Sequence, residues 1–171
     1  MKAEEMQSLM STLSEHPEEG ERYRAALDLS RYPEDGVVNC LVERLTREPS
    51  RAVQEALVSS LVAIGTETVV ARCAELLRSD DAYVRNAAVE VLQVLEDKSL
   101  GTVRRLLDDE DPDVRILAVN VLGELRRKEA VELLRRVVAA DPEINVVVAA
   151  VEFLGEMGLR REDRETIRAA V

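Results

Sequence analysis

The sequence predicts an all-α protein assembled from repeated helix pairs. Three observations carry that prediction. A pattern of apolar and charged residues recurs at intervals of about thirty residues, the mark of a stacked repeat. Within each copy the apolar residues fall at helical spacing. The apolar content is aliphatic: 46% of the 171 residues are hydrophobic but only 2% are aromatic, with no Trp, one Phe and three Tyr. Ala, Val and Leu suit helices packed at close range better than a sheet sandwich with aromatic layers.

The repeat is clearest where Asp81-Ala82-Tyr83-Val84-Arg85-Asn86-Ala87-Ala88-Val89-Glu90-Val91-Leu92 returns, 30 residues on, as Asp111-Pro112-Asp113-Val114-Arg115-Ile116-Leu117-Ala118-Val119-Asn120-Val121-Leu122. Looser copies run through Val53, Leu57 and Leu61, and through Asp141-Pro142, Val146, Ala150 and Leu154. The most degenerate holds Arg22, Ala25, Ala26 and Leu29. One anchor leucine per copy sets the register: Leu29, Leu61, Leu92, Leu122 and Leu154.

Each element follows from this register. Val84, Ala88, Leu92 and Leu95 form one stripe of a first helix. A turn follows, marked by Gly65, Gly123 or Gly158, or by Pro33-Glu34-Asp35-Gly36. A second helix then places its deepest pairs at Leu41/Leu45, Cys73/Leu77, Val103/Leu107, Leu133/Val137 and Ile167/Val171. Asp111-Pro112 and Asp141-Pro142 supply an acceptor and a helix-starting proline. Residues 3–14, with Leu9 and Leu13, read as a lone cap helix. The expectation is one repeat domain over 1–171: a cap helix and five pairs at approximately 18–49, 50–80, 81–110, 111–140 and 141–171, eleven helices in all.

The Asp-Pro-x-Val-Arg…Ala-Val…Leu-Gly pattern resembles the short HEAT-like repeats of the phycobilin-lyase (PBS-lyase) HEAT-like group, over about residues 18–171. That resemblance implies a right-handed α-solenoid whose second helices line a concave face, each pair burying its stripe against its neighbours.

Charge and chemistry narrow the function. The net charge is −11, which argues against nucleic acid as a partner, because phosphate binding rests on Lys and Arg. The start, Met1-Lys2-Ala3-Glu4-Glu5, lacks the apolar stretch of a signal peptide, and no run approaches the ~18 apolar residues of a membrane helix. Cys40 and Cys73 stand alone, so a reduced, cytoplasmic protein is expected, with both thiols as small apolar residues. His16 is the only histidine, and no nucleotide-binding or metal-ligand motif occurs, so neither catalysis nor a cofactor or metal is expected. Asp108-Asp109-Glu110-Asp111 reads as a solvated turn and helix start. Arg126-Arg127-Lys128 and Arg160-Arg161 read as cations meeting helix C-terminal dipoles.

Two constellations remain. Asp81, Arg85, Asp111 and Arg115, with Arg22 in the same slot, form a structural Asp/Arg ladder, interrupted at Gln54 and Val147. Along the second helices one outward column reads Ser11, Glu43, Glu75, Arg105, Arg135 and Ala169. Its neighbour reads Ser8, Cys40, Arg72, Thr102, Glu132 and Thr166, with Arg104 and Arg136 beside them. This groove is acidic first and more basic later, a pattern that orients a partner by charge. The expected function is therefore a non-catalytic scaffold that binds another protein along this face. The resemblance implies an alternative, a phycobilin lyase-like subunit holding a bilin on a client protein, with Arg72, Arg105 and Arg135 pairing its propionates. An exposed stripe at Ile167 and Val171 would allow self-association through the last helix.

Overall fold

A computed structural model describes residues 2–125 and 127–157. Among these are ten helices and no strand. Contacts divide the chain into two compact units, Met1–Leu95 and a second beginning at Glu96. The first holds α1 (Lys2–Glu15), α2 (Glu19–Leu29), α3 (Asp35–Leu45), α4 (Arg51–Ile64), α5 (Glu67–Leu76) and α6 (Ala82–Val94). The second holds α7 (Glu96–Leu106), α8 (Pro112–Glu124), α9 (Lys128–Ala140) and α10 (Ile144–Glu156). The expected eleventh helix lies outside the described residues. No described helix is long and apolar enough to cross a membrane.

Each unit is a double layer. In the first, α2 packs on α4 and α4 on α6, while α1, α3 and α5 stack behind them. In the second, α8 packs on α10, and α7 and α9 flank α8. All five anchor leucines are buried between layers. Local chemistry starts the helices: Ser50, Thr66, Asp81 and Asp111 each accept an amide of the first turn. Gly65, at φ 51°, closes α4 in the left-handed region. Pro142 does not open its helix, however. α10 begins at Ile144, and Asp141 precedes it as an acceptor for the Glu143 amide at 2.9 Å.

The register of α9 differs from the sequence reading. Its deepest residue is Leu134, fully buried, whereas Leu133 is only half-buried. Buried positions now align as Val37, Val69, Ser99 and Ala130, then Leu41, Cys73, Val103 and Leu134. The reason lies in the turns. Only Leu95 separates α6 from α7, and Glu96 takes a positive φ of 25°, while three residues separate α8 from α9. The spacing of these second helices is therefore 31, not 30, and α9 turns by one position.

A polar clamp fastens the repeat edges. Arg22 donates from Nε and Nη2 to the two oxygens of Glu48, both at 2.9 Å, and from Nη1 to the carbonyls of His16 and Pro17. Arg44 and the Ser50 amide complete the shell around Glu48, and Arg44 also reaches the Ser14 carbonyl at the end of α1. Arg115 repeats the arrangement with Asp141 at 2.9 and 3.0 Å and with the carbonyls of Asp109 and Glu110. Arg85 likewise reaches the carbonyls of Ser79 and Asp80. Gln54, though uncharged, donates to the Glu48 carbonyl at 2.7 Å. These groups give partners to carbonyls at helix ends and in the turns that follow.

Burial opposes ionisation of Glu48, but hydrogen bonds from Arg22, the Ser50 amide and Arg44 outweigh it and hold its carboxyl at about 2 instead of 4.5. The folded pKa is depressed, so the stabilisation is present above about pH 4.5 and is lost as pH falls toward about 2. Urea titrations of the parent and Glu48→Gln should therefore differ most at neutral pH and converge through that acid window. A second prediction concerns α8 and α10. A methyl group at Gly123 would overlap the Phe153 ring. Gly123→Ala should destabilise the protein by about 1–3 kcal/mol despite the better helix propensity of alanine, measured by thermal or urea unfolding.

Candidate functional site

The second helices carry the candidate site, and each unit presents its own. In the first, Glu43 is exposed on α3. Arg72, half-buried on α5, is ion-paired to Glu75 one turn away. That pair spends both charges on each other. Cys40, half-buried on α3, faces α1, its Sγ 3.6 Å from Ser14 Oγ and 3.8 Å from the Met10 carbonyl. Burial raises its pKa, while the Ser14 hydrogen bond partly opposes that.

The second unit brings more of the predicted residues together. Arg104 and Arg105 end α7, and Arg136 projects from α9. Arg105 donates to the Thr102 hydroxyl at 2.9 Å, and Arg136 reaches Asp108 at 3.1 Å. Arg135 is half-buried and Glu132 exposed, at 4.0 Å from Lys128. With Leu134 as the core residue, the slot two positions on is Arg136 rather than Arg135, and Leu133 replaces Glu132 in the adjacent column. The outward column thus keeps its basic residue in α9 but moves it by one.

Between α7 and α9 lies a cleft of about 420 Å³, lined by Asp97, Leu100, Gly101, Arg104, Glu129, Glu132, Leu133 and Arg136. Contacts at its two ends fix the helices side by side in the same direction. Arg127, before α9, pairs with Glu96 at 2.7 Å and with Asp97, both at the start of α7. Arg136, late in α9, pairs with Asp108 just beyond α7. Arg127 therefore does not meet a helix C-terminus as the sequence suggested. It stands at the N-cap of α9, where a cation is disfavoured by the dipole, and two carboxylates offset it. Arg126, Arg160, Arg161, Ile167 and Val171 lie outside the described residues.

Sequence reasoning missed Asp97, Leu100, Gly101, Glu129 and Leu133. A partial signal for them was present: α7 has acids in its first turn and Arg104 and Arg105 in its last, and α9 has Glu129 in its first turn with Arg135 and Arg136 two turns further on.

The ladder residues are occupied elsewhere. Asp81 and Asp111 cap α6 and α8, at 2.7 Å from the Tyr83 amide and 2.9 Å from the Asp113 amide. Arg85 and Arg115 bind backbone carbonyls as described above. Arg115 takes its carboxylate from Asp141, one repeat further on, and not from Asp111. Asp109 accepts the Asp111 amide, which makes the acidic run a hydrogen-bonded turn. His16 Nδ1 accepts the Glu18 amide at 3.2 Å, a turn contact. Among the described residues no group of three His, Cys, Asp or Glu side chains is placed to hold a metal ion.

The family model for HEAT repeats matches residues 6–93 and 101–170. The chain belongs to the HEAT-repeat family. No curated protein matches it in sequence. Among solved structures, this HEAT-repeat chain is similar to the complex of CpcE and CpcF of phycocyanin lyase from Nostoc sp. PCC7120, at 21% identity over 94% of this chain and 67% of that one, with a TM-score of 0.48. It is also similar to a computationally designed armadillo repeat protein for modular peptide recognition, at 18% identity over 96% and 87%, TM-score 0.43. A designed armadillo repeat protein in complex with the peptide (KR)4 matches at 18% identity over 95% and 78%, TM-score 0.36.

Burial pushes the Cys73 thiol up to about 12, and no cation offsets it. Neither thiol has the electropositive setting of a reactive cysteine. Maleimide labelling at neutral pH should leave Cys73 unmodified in the folded protein and modify it readily in urea, read by mass spectrometry.

Proposed function

We propose that this HEAT-repeat chain is a non-catalytic scaffold that binds a segment of another protein on its second-helix faces. The α7–α9 cleft is the observation that supports this reading most. It combines an apolar floor, Leu100 and Leu133, with exposed charges of both signs, and interfaces use such a centre and rim. The first unit offers less, since Arg72 and Glu75 neutralise each other. Stacked repeats commonly serve as extended binding surfaces, which agrees with the family.

The test is affinity capture by the parent beside an Arg105→Glu, Arg136→Glu variant. Both residues are exposed, so the variant should keep its helicity by circular dichroism. A protein held by the parent should be recovered at least about tenfold less by the variant, because two reversed charges replace attraction by repulsion. Equal recovery would remove this face from the binding site.

A further inference from the structure

The cleft is polar along its length, and this polarity specifies an occupant. Its acids, Asp97, Glu129 and Glu132, lie toward the N-terminal ends of α7 and α9. Its guanidiniums, Arg104 and Arg136, lie toward the C-terminal ends. Asp97 to Arg104 and Glu129 to Arg136 each span seven residues, about 10 Å of helix. Some of this charge is already compensated: Arg127 holds Asp97, Lys128 stands 4.0 Å from Glu132, and Asp108 holds Arg136. Glu129 and Arg104, exposed at opposite ends, have no ion-pair partner among the described residues. Between the two ends lie Leu100, Leu133 and Gly101, and at Gly101 a methyl group would meet nothing within 4 Å. The middle of the cleft is therefore open to close approach by an apolar side chain.

We propose that the α7–α9 cleft binds a short amphipathic helix of a partner protein, acidic in its first turn and basic in its last, lying antiparallel to α7 and α9. This rests on the scaffold reading above and names its partner's chemistry. Antiparallel docking sets the partner's first-turn acids against Arg104 and Arg136 and its last-turn bases against Glu129 and Glu132. It also opposes the helix dipoles, and the partner's own charge order is the one that stabilises an isolated helix. Apolar residues between the charged turns meet Leu100 and Leu133, in the manner of a helix lying in a groove.

The experiment uses the full chain and two capped synthetic peptides of about 15 residues, a length at which isolated helices begin to hold in water. One carries Glu in its first turn, Leu on one middle face and Lys in its last turn. The other has the same composition with Glu and Lys interleaved. Amide chemical shifts in two-dimensional NMR report the site and the affinity. The expected result is that the sorted peptide shifts Leu100, Gly101 and Leu133 and binds about fivefold or more tightly than the interleaved one, as exposed charge pairs at both ends allow. Arg104→Glu and Glu129→Lys, both at exposed positions, should each narrow that gap. Equal binding of both peptides at these amides would overturn the charge-sorted helix while leaving segment binding intact. Binding of neither peptide, with charge-sensitive capture still observed, would overturn the helical occupant alone. If the same amides shift with protein concentration and no peptide, the occupant is a second copy and the proposal fails.

Discussion

Every helix here has one apolar stripe and too few large side chains to bury it alone. A pair of such helices leaves aliphatic surface in water, and each fully buried Leu or Val contributes about 1.5–3 kcal/mol when covered. Stacking is the only arrangement that covers all the stripes, and the layers of α2, α4 and α6, or of α8 and α10, follow from it. The near absence of aromatic rings makes close approach possible. It also makes it necessary, since small side chains fill space only when backbones come near. Among the aromatic residues Tyr32 is buried and Phe153 half-buried, and the bare backbone of Gly123 is what gives Phe153 room.

Stacking creates a polar problem that the arginines solve. Helix ends at the repeat edges leave carbonyls without intrahelical partners. Arg22, Arg85 and Arg115 each send Nη1 to two such carbonyls. Arg22 and Arg115 also form forked pairs with a carboxylate 26 residues on. Such a fork is planar and directional, so it fixes geometry as well as contributing energy. Gln54 keeps a carbonyl contact in the same slot without the charge. The charges so used are unavailable for a ligand.

The second-helix surfaces of the two units differ. Glu75 neutralises Arg72 in the first, whereas the α7–α9 cleft of the second keeps uncompensated charge at both ends. Its polarity runs along the helices, across the direction that an alignment of repeats suggests. In α7 acids in the first turn and bases in the last suit the helix dipole, and α9 alongside adds Glu129 and Glu132 to the acidic end of the cleft and Arg136 to the basic end.

The helices, their number within the described residues and the five anchor leucines were legible in the sequence, because periodicity reports directly which face of each helix avoids water. The caps at Asp81 and Asp111 were legible too, since local hydrogen bonds need only neighbours in the chain. What the sequence could not decide is anything set by a turn's length or by a distant partner. The α8–α9 turn is two residues longer than the α6–α7 turn and α9 is rotated by one position, so Leu134 enters the core and Arg136 takes the slot assigned to Arg135. The carboxylate that meets Arg115 is Asp141, which no local pattern distinguishes from Asp111. Gly101 and Leu133 form a cleft with Leu100 only because α7 and α9 are brought side by side. Periodicity determines which residues must be hidden; only tertiary packing decides which of the others come together, since that depends on through-space alignment that the chain encodes a turn at a time.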